Sequence, residues 1–397
     1  MFPLRQRLYA RTIYGLPFHL LPPRTPLERL RTHSLRERFR KISLPGRLVS
    51  YLLCVVTYPI SLIYEVRRNL RHLRQRRPQA GARDAVRMYA MAISRNIPPT
   101  EFVTYGFDDP AQRANAPHYL YWTDMPIQAM LNRLRGADPT DVQDKARFTK
   151  LCTAQGFACA PILAESRGGQ VVVHDDCGRY ADLWLKPIHL NGSQGAERWA
   201  RDAGTYRNDA GVSLTAEEWM QHVARVDCIV QPRLINHPTL QAVSNGALAA
   251  IRIVTVLPMG GVAQLISAEV GLPRGASKTT TGAICCVLDH QTGAITRMLM
   301  NQTIVQHAVH PDTGNEIAGI VVPYFQQALS MVLKAHAIVF PAFASLGWDV
   351  VITQDGPLLL ETNAGWGALF QQQLEGPLGQ TAFAHVVDQA VEQLRAS

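Results

Sequence analysis

The stretch that decides the fold of the C-terminal half is GWDVVITQDGPLLLETNAGWG, residues 347–367. Two apolar runs flank the polar segment Gln-Asp-Gly at 354–356, and this pattern is typical of a β-hairpin with a short loop. A three-residue loop has a left-handed residue at its last position, which suits Gly356. The sequence therefore predicts a hairpin whose first cross-strand pair joins Thr353 to Pro357.

Three oxygen-bearing side chains lie within these predicted strands, where an apolar core does not need them. In the predicted register Asp349 faces Glu361, and the two-residue repeat of a strand puts Asn363 on the same face. Directly opposed carboxylates repel each other unless a cation lies between them. Two carboxylates and an amide oxygen suit Mg²⁺. We therefore expect either a magnesium site or, if the two acids never meet, a solvated strand end.

The charge of the chain is concentrated in its N-terminal quarter. The 397 residues carry a formal charge of +9, yet residues 1–100 hold twenty basic and four acidic residues, which leaves a mildly acidic remainder. Apolar residues make up 47% and charged residues 18%, a composition that excludes a disordered chain. The seven cysteines lack any C-x-x-C pair, so we expect free thiols in a reducing compartment, with neither a zinc site nor a disulfide framework.

One apolar segment stands out in the basic quarter. Residues 48–64 are uncharged, are interrupted by Pro59, and lie between Arg47 and an arginine cluster at 67–77. Such a segment is typical of a helix that contacts a membrane surface through residues 44–77, although a buried core helix has the same composition. Arginine clusters also bind nucleic acid, which we consider the weaker interpretation. The positive-inside rule would keep this region at the inner, cytoplasmic face of the membrane.

The order of predicted elements indicates an α+β fold. A Pro/Gly break at 76–84 separates a basic region, 1–80, from a helical lead-in, 81–140. Helices and antiparallel strand pairs then alternate to the end of the chain. One predicted helix begins near Asp141 or Asp144 and ends at Gly156. Three further helices are predicted at 215–225, 319–338 and 381–395. The predicted strand pairs are 170–174 with 181–187, 248–257 with 262–270, and 283–289 with 294–300.

Further cations lie on or beside these predicted elements. Lys186 ends an apolar strand and needs an anion or water, and the following glycines could cover phosphates or form a plain turn. Lys145 begins a helix, where it could equally be surface charge. Arg252 lies in the middle of an apolar strand, so it needs either Glu269 on the next strand or a bound anion.

The order of these motifs resembles the ATP-grasp superfamily. The motifs are DKARFTKLCTAQGF, LWLKPIHLNGSQG, CIVQPRL, LAAIRIVTV and the hairpin 347–363. The likeness covers residues 100–395 and is greatest for the branch associated with sugar transfer and polysaccharides, which is similar to glutamate-ligase-type enzymes. It implies an ATP-grasp domain at 141–397, with two α+β subdomains, 141–230 and 231–397, that enclose the nucleotide.

The resemblance also implies a role for each matching residue. Phosphate contacts fall to Lys145, Lys186 and a loop that contains Gly192, Ser193 and Gly195. The adenine-side hinge falls to Gln231, Arg233 and Leu234. Arg252 and Lys186 become catalytic cations, and Asp349, Glu361 and Asn363 become ligands of one or two Mg²⁺ ions. Three features depart from the family pattern. Gln231 stands where many relatives carry an acid, the loop GSQG has fewer glycines than usual, and the loop with Lys278 stands where a substrate loop is expected.

The reaction implied is that of an ATP-dependent ligase, which joins a carboxylate to an amine through an acyl-phosphate. The substrates would be small or glycan-linked, as in bacterial cell-surface polysaccharide modification. Two alternatives stay open. The first is a kinase of the same fold that phosphorylates a hydroxyl group. The second is a membrane-associated interaction protein that has lost catalysis.

Overall fold

A computed structural model describes residue 16 and residues 19–40, 42–190, 194–275, 283–300 and 303–396. Within these residues the contacts divide the chain into two compact units. One unit comprises the described parts of Met1–Leu134 and Gly367–Ser397, and the other is Arg135–Trp366. The sequence predicted three segments, 1–80, 81–140 and 141–397. In the structure, residues from 367 onward belong instead with the N-terminal unit. The assignment of membrane contact to residues 1–80 and of ATP-grasp chemistry to residues 141–397 stays a proposal.

The unit formed by the two ends of the chain is helical where it is described. Its α-helices are α1 (Pro26–Arg40), α2 (Leu44–Arg76), α3 (Ala82–Arg95), α4 (Pro99–Thr104), α5 (Pro110–Ala114), α6 (Met125–Leu134), α12 (Leu369–Glu375) and α13 (Phe383–Ala396). Short 3₁₀ helices lie at Ala116–His118, Trp122–Asp124 and Leu378–Gln380. Helix α1 packs against α13, so the first and last helices of the described chain lie side by side. A buried ion pair, with 2.6 Å between Arg31 Nη2 and Asp124 Oδ2, holds α1 to the segment that precedes α6.

Helix α2 contains the apolar segment that the sequence left open between membrane and core. One of its faces is buried in this unit through Tyr58, Leu62 and Val66, which pack in one cluster with Met88 and Phe102. The other face exposes apolar side chains. By length and composition, α2 is the one helix in the described residues that could cross a membrane. The helix therefore combines a core-forming side with an uncovered apolar side.

The second unit begins with an antiparallel sheet of seven strands among the described residues. In spatial order the strands are β2 (Gln170–Val173), β1 (Ala164–Arg167), β7 (Cys228–Pro232), β3 (Asp182–Pro187), β4 (Glu197–Asp202), β5 (Thr205–Asn208) and β6 (Ser213–Thr215). Helix α9 (Ala216–Ala224) packs on this sheet, as predicted for 215–225. The predicted pairing of 170–174 with 181–187 is wrong, because β1 and β7 lie between those two strands.

A second antiparallel sheet of seven described strands carries the hairpin of the opening stretch. In spatial order these are β12 (Thr303–Val305), β11 (Ile295–Met300), β10 (Ile284–Leu288), β9 (Gln264–Leu272), β8 (Ala250–Val256), β13 (Ser345–Thr353) and β14 (Gly356–Asn363). The hairpins β8–β9 and β10–β11 were predicted and are confirmed.

The remaining α-helices of this unit are α7 (Thr140–Gln143), α8 (Lys145–Ala154), α10 (Pro238–Gln241) and α11 (Phe325–Val339), and a 3₁₀ helix lies at Cys177–Arg179. Helix α11 packs on the second sheet and begins six residues later than predicted, after Tyr324 in a left-handed conformation (φ 54°). Helix α8 begins after Asp144, one of the two predicted start points, because the Asp144 carboxylate accepts a hydrogen bond from the Arg147 backbone N–H at 2.9 Å and caps the helix.

In the hairpin β13–β14 the predicted carboxylate pair forms, although the loop and the register near it differ from the prediction. Thr353 pairs with Gly356, so the loop has two residues, and the predicted pair of Thr353 with Pro357 is wrong. A register shift follows between Val350 and Asp349, where Leu360 is the extra residue on β14. This β-bulge restores the predicted pairing of Asp349 with Glu361.

Candidate active site

A row of charged residues crosses four neighbouring strands of the second sheet. In antiparallel sheets directly paired residues point to the same face, so the members of the row share one side of the sheet. The row comprises, in order across β9, β8, β13 and β14, Glu269, Arg252, Asp349 and Glu361. Four ionisable side chains in register on largely buried strands are unusual, since a strand core gains nothing from burying charge.

Arg252 is held by the carboxylate of the neighbouring strand. Its Nε lies 2.6 Å from Asp349 Oδ1 and its Nη2 lies 3.1 Å from Asp349 Oδ2, a two-pronged ion pair. Burial lowers the pKa of the guanidinium, but the carboxylate of Asp349 more than offsets this and the pKa rises overall. The sequence named Glu269 as the structural partner of Arg252. The hydrogen-bonded ion pair joins Arg252 to Asp349, directly opposite on β13, and Glu269, directly opposite on β9, raises the pKa of the arginine as well.

The pKa of Glu361, at the end of the row, is shifted in opposite directions by its neighbours. Burial raises its pKa, and the adjacent carboxylate of Asp349 raises it further. The ammonium groups of Lys145 and Lys186 act in the opposite direction, but the net shift is upward. The two acids therefore do meet, as one of the two sequence interpretations required, and a cation here would relieve their repulsion.

Lys145 is a buried residue, so the interpretation as surface charge is wrong. It is 9% exposed, and its Nζ lies 3.7 Å from Glu361 Oε2 and 2.6 Å from the backbone oxygen of Leu190. Its place at the first turn of α8 follows from the Asp144 cap described above. The ammonium group thus connects the hairpin to the segment that follows β3.

Lys186 approaches the same carboxylate region from the first sheet. It lies on β3 and donates a hydrogen bond from Nζ to Gln231 Oε1 on β7, at 3.0 Å. Gln231 in turn donates from Nε2 to the backbone oxygen of Ala160 at 3.2 Å, which fixes its amide. Burial lowers the pKa of Lys186, and the nearby ammonium of Lys145 lowers it further. The carboxylate of Glu361 offsets only part of this, so the pKa is about 8. An anion that paired with this ammonium would restore its charge.

The other residues predicted to bind the nucleotide follow β3 or β7 in the sequence. Gly195 has a left-handed backbone (φ 68°), and a Cβ there would lie 3.0 Å from Pro187. Arg233 follows β7 and is held at 3.2 Å by Asp182 and at 3.0 Å by the Gly246 oxygen. Leu234 lies in the partly buried segment after this arginine. Gly192, Ser193 and Lys278 lie outside the described residues.

The donor set on the hairpin fits a hard divalent cation. Asn363 is the last residue of β14 and lies opposite Gly347, two residues beyond Glu361. The register therefore puts Asp349, Glu361 and Asn363 on one face of the hairpin, and two of them are carboxylates. No group of three or more His, Cys, Asp or Glu side chains suited to a metal occurs in the described residues. A cation here would rely on the asparagine amide, water and substrate oxygens to complete its coordination.

One contact of the charged row was missed from the sequence. The thiol of Cys285 on β10 donates a hydrogen bond to Glu269 Oε2 at 2.9 Å and continues the polar row beyond β9. The alternation of ICCVL places Cys285 on the face opposite to Cys286, which is fully buried. That alternation was the available signal.

Several solved structures are similar to parts of this chain. The L-amino acid ligase from Bacillus licheniformis is 12% identical, with 64% of this chain and 48% of that chain covered and a TM-score of 0.36. The ADP complex of N5-carboxyaminoimidazole ribonucleotide synthetase is 10% identical, with 61% and 53% covered and a TM-score of 0.35. The chain thus spans about half the length of these two proteins.

The ATP complex of the D-alanine–D-alanine ligase from Bacillus anthracis is 12% identical, with 68% and 74% covered and a TM-score of 0.37. A comparison with the sequences of curated proteins finds no match. The family described as sugar-transfer associated ATP-grasp matches residues 135–382, which include both sheets and the charged row. The chain therefore belongs to the sugar-transfer associated ATP-grasp family, and its mixed helices and antiparallel sheets have the α+β fold predicted from the sequence.

Proposed function

We propose that this protein is an ATP- and Mg²⁺-dependent ligase that joins a carboxylate to an amine. The terminal phosphoryl group of ATP would pass to a carboxylate oxygen of the substrate, giving an acyl-phosphate and ADP. The amine would then attack the acyl carbon, lose a proton and displace phosphate, leaving an amide. This balance needs no side-chain nucleophile, so the protein contributes positioning and charge neutralisation.

The observation that carries the proposal is the meeting of three cations with two carboxylates in one unit. Lys145 lies 3.7 Å from Glu361, and Arg252 is paired with Asp349. Lys186 is near enough to Glu361 for the carboxylate to influence its pKa. Cations fixed on buried helices and strands are suited to a polyphosphate, because they neutralise negative charge without having to reorganise.

We assign separate roles to the three cations. Lys145 and Lys186 bind phosphate oxygens of the nucleotide, with Gln231 orienting Lys186 through the hydrogen bond at 3.0 Å. Arg252 steadies the phosphoryl group in transfer, because its Nη1 is not engaged in the two-pronged contact with Asp349. Gly192, Ser193 and Gly195 would cover the phosphates, and Arg233 and Leu234 would border the adenine.

The hairpin would hold magnesium through Asp349, Glu361 and Asn363. When bound, the ion would neutralise phosphate charge and hold the nucleotide in position for transfer. Glu361 has to be ionised for this role, and a divalent cation together with Lys145 would oppose the upward shift of its pKa. The asparagine contributes an oxygen without adding a third negative charge.

We further propose that the carboxylate or the amine is carried on a sugar, in the modification of a bacterial surface polysaccharide. The support is the sugar-transfer association of the family. A carboxylate on a uronic acid and the amine of an amino acid are the substrate classes to test first. The chemistry would take place on the cytoplasmic side of the membrane, where ATP is available.

The test is a product assay with the full chain, ATP, Mg²⁺ and paired pools of sugar acids and amines. We expect ADP release that needs both pools, an amide product, and transfer of ¹⁸O from a labelled carboxylate to phosphate. Hydroxylamine in place of the amine should give a hydroxamate. A stable phosphate ester formed without amine would instead show a kinase, and ADP release without any ¹⁸O in phosphate would refute the acyl-phosphate.

A matched pair of variants separates site chemistry from stability. Arg252 and Arg198 are both 28% exposed, and each is paired with an aspartate on a neighbouring strand. Arg252→Lys should lower the rate by about 10- to 100-fold, because a bidentate contact is not replaced by an ammonium. Arg198→Lys should leave the rate within about twofold. Equal losses in both variants would remove Arg252 from the proposed mechanism.

A further inference from the structure

Helix α2 presents a continuous exposed ridge that ends in arginines. The ridge residues follow one another at intervals of three or four, so they lie along one side of the helix. All are exposed. They are, in order, Val49, Leu52, Val56, Ile60, Ile63, Arg67, Arg71 and Arg74. The first five are apolar and range from 46% to 67% exposed, and the last three are basic. We call this set the exposed ridge.

The exposed ridge is uncovered because the core takes a different side of the helix. Tyr58, Leu62 and Val66, which lie between ridge positions in the sequence, are at most 6% exposed and pack with the core of their unit. The five large apolar side chains of the ridge are exposed to water and are not part of the core cluster of their unit. A contiguous apolar surface of this kind marks a binding site for an apolar partner.

We propose that the exposed ridge docks α2 lengthwise on an anionic phospholipid bilayer, with the apolar side chains among the acyl chains and the arginines at the headgroups. Charge decides between possible occupants. Arg67 and Arg71 continue the apolar line on the same side of the helix, where they would meet lipid phosphates. A surface that is apolar over one half and basic over the other matches the boundary between acyl chains and anionic headgroups.

The geometry favours lying on the membrane over crossing it. The apolar part of the ridge, from Val49 to Ile63, is about 21 Å long at 1.5 Å per residue, shorter than a hydrocarbon core of about 30 Å. The opposite side of the same helix is committed to the protein core, so lipid cannot surround it. This inference stands on α2 alone and does not depend on the proposed ligase reaction.

The proposal is tested by flotation of the full chain with vesicles of phosphatidylcholine, with and without phosphatidylglycerol. Two double variants address the two halves of the ridge: Val56→Asp with Ile60→Asp, and Arg67→Gln with Arg71→Gln. We expect the apolar pair to reduce binding to anionic vesicles by at least about tenfold. Each basic residue contributes about fivefold, so the arginine pair should weaken binding to anionic vesicles by about 25-fold.

Matched controls change exposed residues elsewhere in the described chain. Val172→Asp with Val262→Asp alters two exposed apolar residues of the other unit, and Arg179→Gln with Arg225→Gln removes the same charge. The controls should float like the unaltered chain. Thermal unfolding followed by circular dichroism shows whether each variant is folded, and because ridge residues are exposed we expect midpoints within about 2 °C of the unaltered chain.

Several outcomes would overturn the proposal. One is flotation that is equal for ridge and control variants, or absent for the unaltered chain. Another is protein that stays with vesicles after an alkaline carbonate wash, which would show a spanning helix. A dimer in lipid-free sedimentation that the apolar pair abolishes would assign the ridge to a second copy. Binding to nucleic acid that depends on the arginines, without vesicle binding, would assign it to a polyanion.

Discussion

If Lys186 binds ATP phosphate, as proposed above, its depressed pKa makes ATP affinity depend on pH in a defined direction. In the free protein the pKa is about 8, so the ammonium is mostly charged below pH 8 and mostly neutral above it. Only the charged form pairs with phosphate. Affinity should therefore be highest below pH 8 and fall as the pH rises, because binding then requires uptake of a proton. The terminal phosphate of ATP is largely ionised above about pH 7, so it adds little in this range.

The size of the effect follows from the same pKa. If bound phosphate returns Lys186 to the ordinary range of lysine, the dissociation constant scales with the fraction of neutral amine in the free protein. Between about pH 7.5 and pH 9 it should rise about eightfold. Calorimetric titrations at constant Mg²⁺ and ionic strength would measure this rise. Repeating them in buffers of different ionisation enthalpy would detect uptake of about half a proton at pH 8.

A charge-retaining variant isolates this residue. Lys186→Arg stays protonated throughout the range, so its ATP affinity should be independent of pH. Lys186→Met should bind weakly at every pH. The reasoning fails if the unaltered chain binds ATP equally well from about pH 7.5 to 9, or if the arginine variant keeps the slope of the lysine.

Three further predictions concern the hairpin and the helical unit. Asp349→Asn should weaken Mg²⁺-dependent ATP binding by about 10- to 100-fold, measured by calorimetry with and without the metal, since it removes a charged contact; unchanged affinity would place the metal elsewhere. Burial raises the pKa of Glu101 to about 8 in the folded chain from its ordinary 4.5, so the folded state binds the proton more tightly and stability should fall by about 3 to 4 kcal/mol between about pH 5 and pH 8. Denaturant unfolding of Glu101→Gln should lack that component of the slope, and parallel pH profiles would contradict it. Gly347→Ala should destabilise by about 1 to 3 kcal/mol because its Cβ would lie 2.6 Å from the Cβ of Trp366, whereas Gly367→Ala, whose Cβ meets nothing within 4 Å, should be near neutral in the same unfolding assay.

The carboxylate pair was predictable because it depends on local alternation. The side-chain period of a strand is two, so the face of Asp349 and Glu361 could be derived from the turn and the count of residues between them. The turn itself was predicted wrongly. A two-residue loop with an extra residue at Leu360 and a three-residue loop without one give the same pairing, and residue counting does not distinguish them.

What escaped prediction depends on contacts between residues distant in sequence. Strand β1, with the polar sequence AESR, enters the first sheet between β2 and β7, and no local pattern announces that order. The ion pair of Arg252 with Asp349 was missed for the same reason, since β13 lies almost a hundred residues beyond β8 in the chain. The burial of Lys145 likewise arises from the hairpin and from the segment after β3, which a helix start cannot reveal.

The side-by-side packing of α1 and α13 affects how this protein can be divided for experiment. The unit with the charged row is an insert: the chain leaves the helical unit near residue 134 and returns to it near residue 367. A shortened chain that spans residues 135–397 would carry α13 without its neighbour α1. Buried residues of α13 such as Phe383 and Val387 would then be exposed, and aggregation could be mistaken for a catalytic defect. Excision of the insert therefore requires two cuts, one on each side of residues 135–366.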